Sequence, residues 1–312
     1  GKFTDIIDYL EEGDVVVVNN TKVFPARFTG YKIPTGAKLE ILLVRELIKD
    51  QLIWDSIAFP PRKVRAGNKI LIATDNQQGP IYAVVIGNTE NKGKILKFEF
   101  EGTQDELRAI LEKNGKVPLP PYIKREPTEL DKERYQTVYA EEYGSIAAPT
   151  AGLHFSDVVI KKLKLKGVKI VPILLHIGQG TFELIKADEV YTHRMNAEFF
   201  RIPEESARII SEAKEKGKKV VTVGTSVMRA IESAPKYEKR IFPYEGWTVL
   251  FIHPGYQEFY ADALLTNFHL PRSTSLVLTW TFGGPELMAK AYKEAIKKKF
   301  RFLSYGDCML IL

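Results

Sequence analysis

The chain has 312 residues, 45% hydrophobic and 27% charged, which fits a globular protein long enough to bury a substantial core. No apolar run approaches the ~20 residues that span a bilayer, no signal-peptide pattern opens the chain, and with Cys308 as its single cysteine it holds neither an internal disulfide framework nor a cysteine-built zinc cluster. Lys and Arg outnumber Asp and Glu by 45 to 39, which suits a polyanionic partner, or simply a basic protein with solvated Lys-rich faces such as "KKLKLKGVK".

Residues 1–27 read as a short helix, "FTDIIDYLEEGD", then a buried strand, Val15–Val18, that runs into "NNTKVFPAR". From Phe28 to Glu101 short apolar or alternating runs ("KLEILLV", "QLIWDSIAF", "NKILIAT", "IYAVVIG", "KILKFEFE") are separated by turn residues, with no clear helix. That pattern predicts a small β-barrel over 28–102. A helix follows in "TQDELRAILEKNG", with Thr103 and Glu106 in capping-box spacing and Gly115 as its stop. "VPLPPYIKREP" is Pro-rich and extended. "RYQTVYA" (Arg134–Ala140) alternates polar and aromatic residues, which suits a segment touching a base or ribose and equally an ordinary strand.

Beyond Phe155 the pattern alternates. Helices are expected at 156–166, 204–216, 226–233 and 287–298, and strands at 168–176, 219–223, 248–252, 262–265 and in the final "CMLIL". The fold class is α/β, a mixed sheet with flanking helices plus an inserted small β-barrel. The N-terminal strand joins the sheet, so the α/β domain comprises 1–27 and 103–312 and the barrel, 28–102, is an insertion.

Ligands of open α/β sheets sit beyond the carboxyl ends of strands, and several polar clusters fall there. Asn19, Asn20 and Thr21 follow the first strand; His176 and the Gly178/Gly180 turn follow another; Thr266, Asn267 and His269 follow a third. "VGTSVMRAIES" reads as strand, turn and helix: Gly224 permits the turn, Thr225 or Ser226 can cap the helix, and Arg229 lies one turn inside, within reach of a carboxylate or phosphate. It is not a P-loop, and no Gly-x-Gly-x-x-Gly stretch supports a dinucleotide site. The histidines at 154, 176, 193, 253 and 269 lack metal-ligand spacing, so no metal is expected. "GSIAAPTAGLHF" (Gly144–Phe155) carries no charge before His154; such a run is either a close-packed turn or a surface where backbone approaches a ligand with an imidazole at its edge. Tyr305 and Asp307 flank Gly306 before the last strand, as a plain turn or as an acid or hydrogen-bonding pair, while Cys308 reads as core.

Taken together, "VVVNNTKVFPAR", "VPLPPYIKR", "ERYQTVYA", "AAPTAGLHF", "HIGQGTF", "VGTSVMRAIES", "GWTVLFIHPGY", "DALLTNFHLPRST" and "SYGDCMLIL" resemble the S-adenosylmethionine:tRNA ribosyltransferase-isomerases of queuosine biosynthesis, in that family's order and over nearly the whole chain. The barrel segment matches least. The family's Gly-Thr-Thr-Ser-x-Arg is here Gly224-Thr225-Ser226-Val227-Met228-Arg229, and its Ala-Phe-Ala-Gly is "TFGG", which loosens role assignment around Ser226 and Phe282. The family also carries a stretch before the first helix, so an N-terminal piece is expected to be missing. The resemblance implies transfer of the ribosyl unit of S-adenosylmethionine to 7-aminomethyl-7-deazaguanine at the tRNA wobble position. The sugar isomerises to give epoxyqueuosine, and adenine and methionine leave.

On that reading S-adenosylmethionine is a co-substrate, tRNA is the partner, no metal or membrane is needed, and a cytoplasmic monomer is expected. A base is needed at C5′, which the sulfonium acidifies, and an acid helps adenine depart. His154 is the leading base, with His176 and His269 as second choices, and Tyr305 and Asp307 the acid or hydrogen-bonding pair. Arg229 faces the methionine carboxylate. Asn19, Asn20, Thr21, Arg27, Arg134, Tyr135, Gln136, Thr150, Gly152, Gly178, Gly180, Gly224, Thr225 and Asn267 are the remaining substrate-binding candidates. Two alternatives stay open, an S-adenosylmethionine-dependent RNA methyltransferase and a non-catalytic RNA-binding protein. The first would want a Gly-rich loop where this chain has "VVVVNNT".

Overall fold

A computed structural model describes residues 1–312 apart from 77, 78, 90–92, 121, 177–183, 187 and 188. The chain divides into two compact units, one made of Gly1–Lys22, Gln136–Glu142 and Ala148–Leu312, the other of Val23–Tyr135 and Tyr143–Ala147.

The first unit is built on β1 (Val15–Asn19), and β2 (Thr21–Val23) follows it. Every residue of β1 is buried, and its side chains alternate between two cores, as a strand covered on both faces requires. Val15 and Val17 pack with residues of β10 (Lys169–Leu175), β11 (Glu198–Ile202), α5 (Glu204–Glu215) and α6 (Thr225–Ser233). Val16 and Val18 face α1 (Ile6–Tyr9) and α4 (Asp157–Leu165) through Ile6, Val159 and Leu163. A fully buried Val is worth about 1.5–3 kcal/mol of transfer free energy, so this one run anchors both layers. β12 (Val220–Val223) lies on the other side of β1, then β16 (Ala263–Asn267) and β17 (Cys308–Ile311). The order is β15-β11-β10-β1-β12-β16-β17, with β15 spanning Tyr244–Thr248. The four central strands are parallel and the outer three join antiparallel, so the sheet is mixed as expected. α7 (Thr274–Gly283) and α8 (Pro285–Lys297) cover its β16–β17 end through Leu278 and Met288.

Two local expectations fail. The strand expected at 248–252 lies at Tyr244–Thr248 instead, because the chain beyond it is held by side chains: Leu250 N–H donates to Thr248 Oγ1 at 3.0 Å, and Leu250 O accepts from Arg229 Nε at 2.8 Å. β11 and α7 have no counterpart in the sequence reading. β11 opens on an acidic residue, and α7 mixes Thr and Ser among its apolar residues with no polar face, so neither shows a clean period.

In the second unit β3 (Arg27–Ile33), β4 (Ala37–Ile48), β5 (Ile53–Phe59), β6 (Lys69–Asp75), β7 (Gly79–Asn88) and β8 (Lys94–Glu99) close into a barrel. Ile41, Ile70, Ala83, Val85 and Leu96 are fully buried in its interior. α2 (Gln104–Asn114) adds Leu107, Ile110 and Leu111 to the same core, so this compact unit extends past the segment 28–102. The capping box forms: Thr103 N–H donates to Glu106 Oε2 at 2.7 Å and Glu106 N–H to Thr103 Oγ1 at 3.3 Å. α3 (Glu129–Arg134) follows, held at its start by Arg125, which grips Asp131 through two bonds of 2.6 and 2.7 Å and keeps that carboxyl well below the usual range. Arg134 therefore ends a helix, and residues 135–140 form no strand. The remaining strands are β9 (Glu142–Ser145), which pairs with β2, and the short hairpin β13 (Lys236–Tyr237) and β14 (Arg240–Ile241).

Candidate active site

The carboxyl ends of β1, β10, β12 and β16 bring Asn19, Leu175, Val223 and Asn267 to one edge of the first unit. β10 and β12 flank β1 on opposite sides, the topological switch at which such sheets bind ligands. The small-residue run lies here as a 3-10 turn, Thr150–His154. Its composition follows from packing: a Cβ on Gly152 would lie 2.0 Å from the Tyr139 hydroxyl and 2.8 Å from Thr137 Cγ2. Gly224, between β12 and α6, has φ +95°, and a Cβ there would meet the Cβ of Ala151 at 3.7 Å. Both glycines are needed, one for space and one for backbone conformation.

His154 emerges at the end of this turn, half-buried, with its ring 5.4 Å from that of Phe3 and roughly stacked on it. Its Nε2 lies 3.1 Å from Asn267 Oδ1. Desolvation lowers its pKa below the ordinary imidazole value; the Asn267 bond and the Asp307 charge oppose that shift, and Arg301 adds to it. The ring is therefore neutral at neutral pH and can accept a proton.

His269 has a different environment. Its Nε2 lies 2.8 Å from Thr266 Oγ1, its backbone N–H donates to the Tyr292 hydroxyl at 3.0 Å, and desolvation pushes its pKa down to about 4. His176 is half-buried against Phe199, with ring centroids 5.1 Å apart. Tyr305 is exposed. Asp307 closes the loop before β17, its Oδ2 accepting from Arg301 N–H at 2.7 Å while its own N–H donates to Arg301 O at 2.6 Å. It reaches His154 through its field.

A second cleft opens at the start of α6, lined among others by His193, Asn196, Glu198, Thr225, Arg229 and Ser275. Gly224 is the N-cap, with no side-chain cap bond, so neither Thr225 nor Ser226 caps this helix; the Thr225 hydroxyl lies 3.2 Å from that of Ser275. Arg229 is buried and paired through Nη1 with the buried Glu198. Its Nη2 is buried with no hydrogen-bond partner among the described residues. Sequence reasoning found Arg229 but not Glu198. The residue types of "EFFRI" do not alternate; it is burial that alternates along β11 and puts the glutamate on the buried face, which the sequence alone did not signal.

Asn19 is wholly engaged within the sheet: Nδ2 donates to Leu175 O at 3.1 Å, and Oδ1 accepts from the N–H groups of Leu175 and Thr21 at 3.0 Å each. Asn20 donates to Glu141 Oε2 at 3.3 Å, and its buried Oδ1 has no partner among the described residues. The same holds for Tyr139 Oη and Thr137 Oγ1, neither singled out from the sequence. Thr21 is buried, whereas Thr150 and Gln136 are half-buried. Arg27, Arg134 and Tyr135 belong to the barrel-containing unit, where Arg27 pairs with Glu40 at 2.9 Å, Arg134 is exposed and Tyr135 is buried. Gly178 and Gly180 lie outside the described residues. Among the described residues no group of His, Cys, Asp and Glu is placed to hold a metal ion, and no helix is long and apolar enough to cross a membrane.

The fold defines an α/β protein with polar residues gathered at the carboxyl ends of its parallel strands and a closed β-barrel in the same chain. The chain belongs to the family of queuosine biosynthesis proteins, whose family model matches residues 1–311. It is 46% identical over 310 residues to the S-adenosylmethionine:tRNA ribosyltransferase-isomerase of Flavobacterium psychrophilum, covering 99% of this chain and 88% of that protein. The protein of the same name from Cytophaga hutchinsonii is also 46% identical over 310 residues, with the same coverage. Among solved structures, the S-adenosylmethionine tRNA ribosyltransferase of Thermotoga maritima is similar, with a TM-score of 0.50, 33% identity, and coverage of 99% of this chain and 86% of that one.

Proposed function

We propose that this protein transfers and isomerises the ribosyl moiety of S-adenosylmethionine onto 7-aminomethyl-7-deazaguanine at the tRNA wobble position, giving epoxyqueuosine with release of adenine and methionine. Membership of the queuosine family supports the reaction. The observation that carries the site is the His154 ring held at the carboxyl edge of β16 with its Nε2 3.1 Å from Asn267 Oδ1.

In this reading His154 removes a proton from C5′, which the adjacent sulfonium acidifies, and the aminomethyl nitrogen of the tRNA base takes the sugar. Arg229 Nη2 and the uncapped first turn of α6 receive the methionine carboxylate, where a charge-assisted bond is strongest. Glu198 already offsets the Arg229 charge, so the recognition is directional rather than a net attraction. His269 and Asn19, engaged by Thr266 and by β10, hold the framework. The methyltransferase alternative loses ground because the turn after β1 is filled by Asn19, Asn20 and Thr21, each buried, with no Gly-rich loop for a cofactor.

The test is isotopic. In heavy water with substrate tRNA, wild-type protein should wash deuterium into C5′ of the transferred sugar or of recovered S-adenosylmethionine, and His154→Ala should not. Equal incorporation by the variant would remove His154 as the base, and formation of S-adenosylhomocysteine would replace the reaction itself.

A further inference from the structure

We infer that Asn267 is a positioning residue that fixes the tautomer of His154, so that Nε2 carries the hydrogen and Nδ1 presents its lone pair to the substrate. The inference rests on His154 being the base and adds which nitrogen acts.

The amide of Asn267 can be oriented in only one way. It is 2% exposed at the end of β16, and its Nδ2 donates to Leu303 O at 3.0 Å and Ser304 O at 3.4 Å. Turning the amide over would set Oδ1 against two carbonyl oxygens and lose both of these bonds, at about 0.5–1.5 kcal/mol each. Oδ1 therefore faces His154 Nε2 across 3.1 Å, and because an amide oxygen only accepts, the hydrogen must sit on Nε2. The opposite tautomer would point two lone pairs at each other.

The carbonyls that orient Asn267 are themselves fixed. They lie in the loop 301–307, which Asp307 closes through its two bonds with Arg301. Leu303 N–H donates to Phe268 O at 3.0 Å, and Leu303 holds φ +74°, a conformation a branched residue keeps only when its surroundings impose it. The loop is close-packed at its tip, where a Cβ on Gly306 would lie 2.3 Å from Arg301 O. A chain of constraints thus runs from Asp307 through the loop carbonyls to Asn267 and the imidazole. The groups that bear on the ring's charge are Asp307, which favours the imidazolium, and Arg301, which opposes it. Tyr305 and Cys308 are the other titratable groups on that loop and strand, and one face of the ring stacks on Phe3, whose segment carries Lys2 and Asp5. A ring kept neutral has a tautomer to choose, and Asn267 makes the choice.

The direct test uses the full wild-type protein labelled with nitrogen-15 in histidine. The His154 resonances, identified by their loss in His154→Ala, should show hydrogen on Nε2 and a bare Nδ1 at neutral pH; a hydrogen on Nδ1 overturns the inference. Asn267→Leu should lower kcat by about 10- to 100-fold, the usual worth of a partner that orients a functional imidazole, with KM little changed. Asn267→Asp keeps an acceptor at Nε2 and adds a negative charge while losing the amide's bonds to Leu303 and Ser304, so at lower stability it should preserve the tautomer and move the acidic limb of the pH–rate profile upward. A wild-type profile in either variant contradicts the inference. If His154→Ala retains turnover while the label still reports hydrogen on Nε2, the catalytic reading fails and the tautomer assignment stands.

Discussion

Replacing Gly152 by alanine is a sharp perturbation because the added atom has a known destination. The new Cβ would sit 2.0 Å from the Tyr139 hydroxyl, 2.8 Å from Thr137 Cγ2 and 3.0 Å from Tyr139 Cζ, all well inside van der Waals contact. Tyr139 cannot simply retreat, since its ring packs on Phe155 with centroids 6.1 Å apart and belongs to the core beneath β1. Overpacking of this kind costs about 1–3 kcal/mol, which for a unit of this size is a fall in Tm of roughly 2–4 °C per kcal/mol. The alternative to that loss is displacement of the 3-10 turn that carries His154, and a shift of about 1 Å at a reacting group can reduce rate by ~10²-fold. Gly152→Ala should therefore lower both stability and turnover. Tyr139→Phe removes the nearest atom and leaves the contacts at 2.8 and 3.0 Å, so the double variant should recover part of both losses. A double-mutant cycle, with thermal unfolding and adenine release measured on the same preparations, should give a coupling of about 0.5–3 kcal/mol. Additive losses, or a Gly152→Ala protein as stable and active as wild type, would show that close approach of Tyr139 does not explain the small-residue turn.

Three further outcomes follow from the geometry. Glu198→Ala strands the buried Arg229 guanidinium and should destabilise by about 3–5 kcal/mol in urea unfolding, whereas adding Arg229→Met should restore most of it, because an apolar pair can replace a buried ion pair; a double variant no better than the single would contradict this. His269 stays neutral in the folded protein down to about 4, against 6.5 for the free side chain, so between those values the unfolded chain binds the extra proton. Stability should fall as pH drops from 6.5 toward 4, and His269→Leu should flatten that limb; an unchanged slope would show the imidazole is not desolvated. Affinity for tRNA should decrease linearly on a log–log plot against salt, given the excess of 45 basic over 39 acidic residues, and a flat plot would exclude a phosphate-dominated interface.

Much of this fold was legible because its signals are local and periodic. The all-apolar Val15–Val18 could only be a strand covered on both faces, and Thr103 with Glu106 marks a helix start whatever surrounds it. β11 was missed because Glu198 reads as a surface charge until Arg229, 31 positions away, is brought onto it. For the same reason the site was legible by place more than by role. Strand-end clustering located Asn267 and His269 and the small-residue run located His154, but only the structure separates a ring facing an amide oxygen from one held by Thr266. The Gly-Thr-Ser turn read as a side-chain cap, yet Gly224 itself takes the cap position with φ +95°, and Thr225 and Ser226 already lie within the helix. What periodicity cannot encode is the partner of each polar group, and those partners decide chemistry here.

The central claim is that His154 is a base presented by a turn that does not depend on it to fold. It is tested most directly by His154→Ala, with adenine release from S-adenosylmethionine in the presence of substrate tRNA and Tm measured on one preparation. General-base catalysis contributes ~10²–10⁴-fold, so turnover should fall by about that range, while loss of the donor to Asn267 Oδ1, at most about 1–3 kcal/mol, lowers Tm without unfolding the protein at the assay temperature. Near-normal turnover, or activity that falls only in step with the folded fraction, would contradict the account and leave His154 as a hydrogen-bonding post for Asn267.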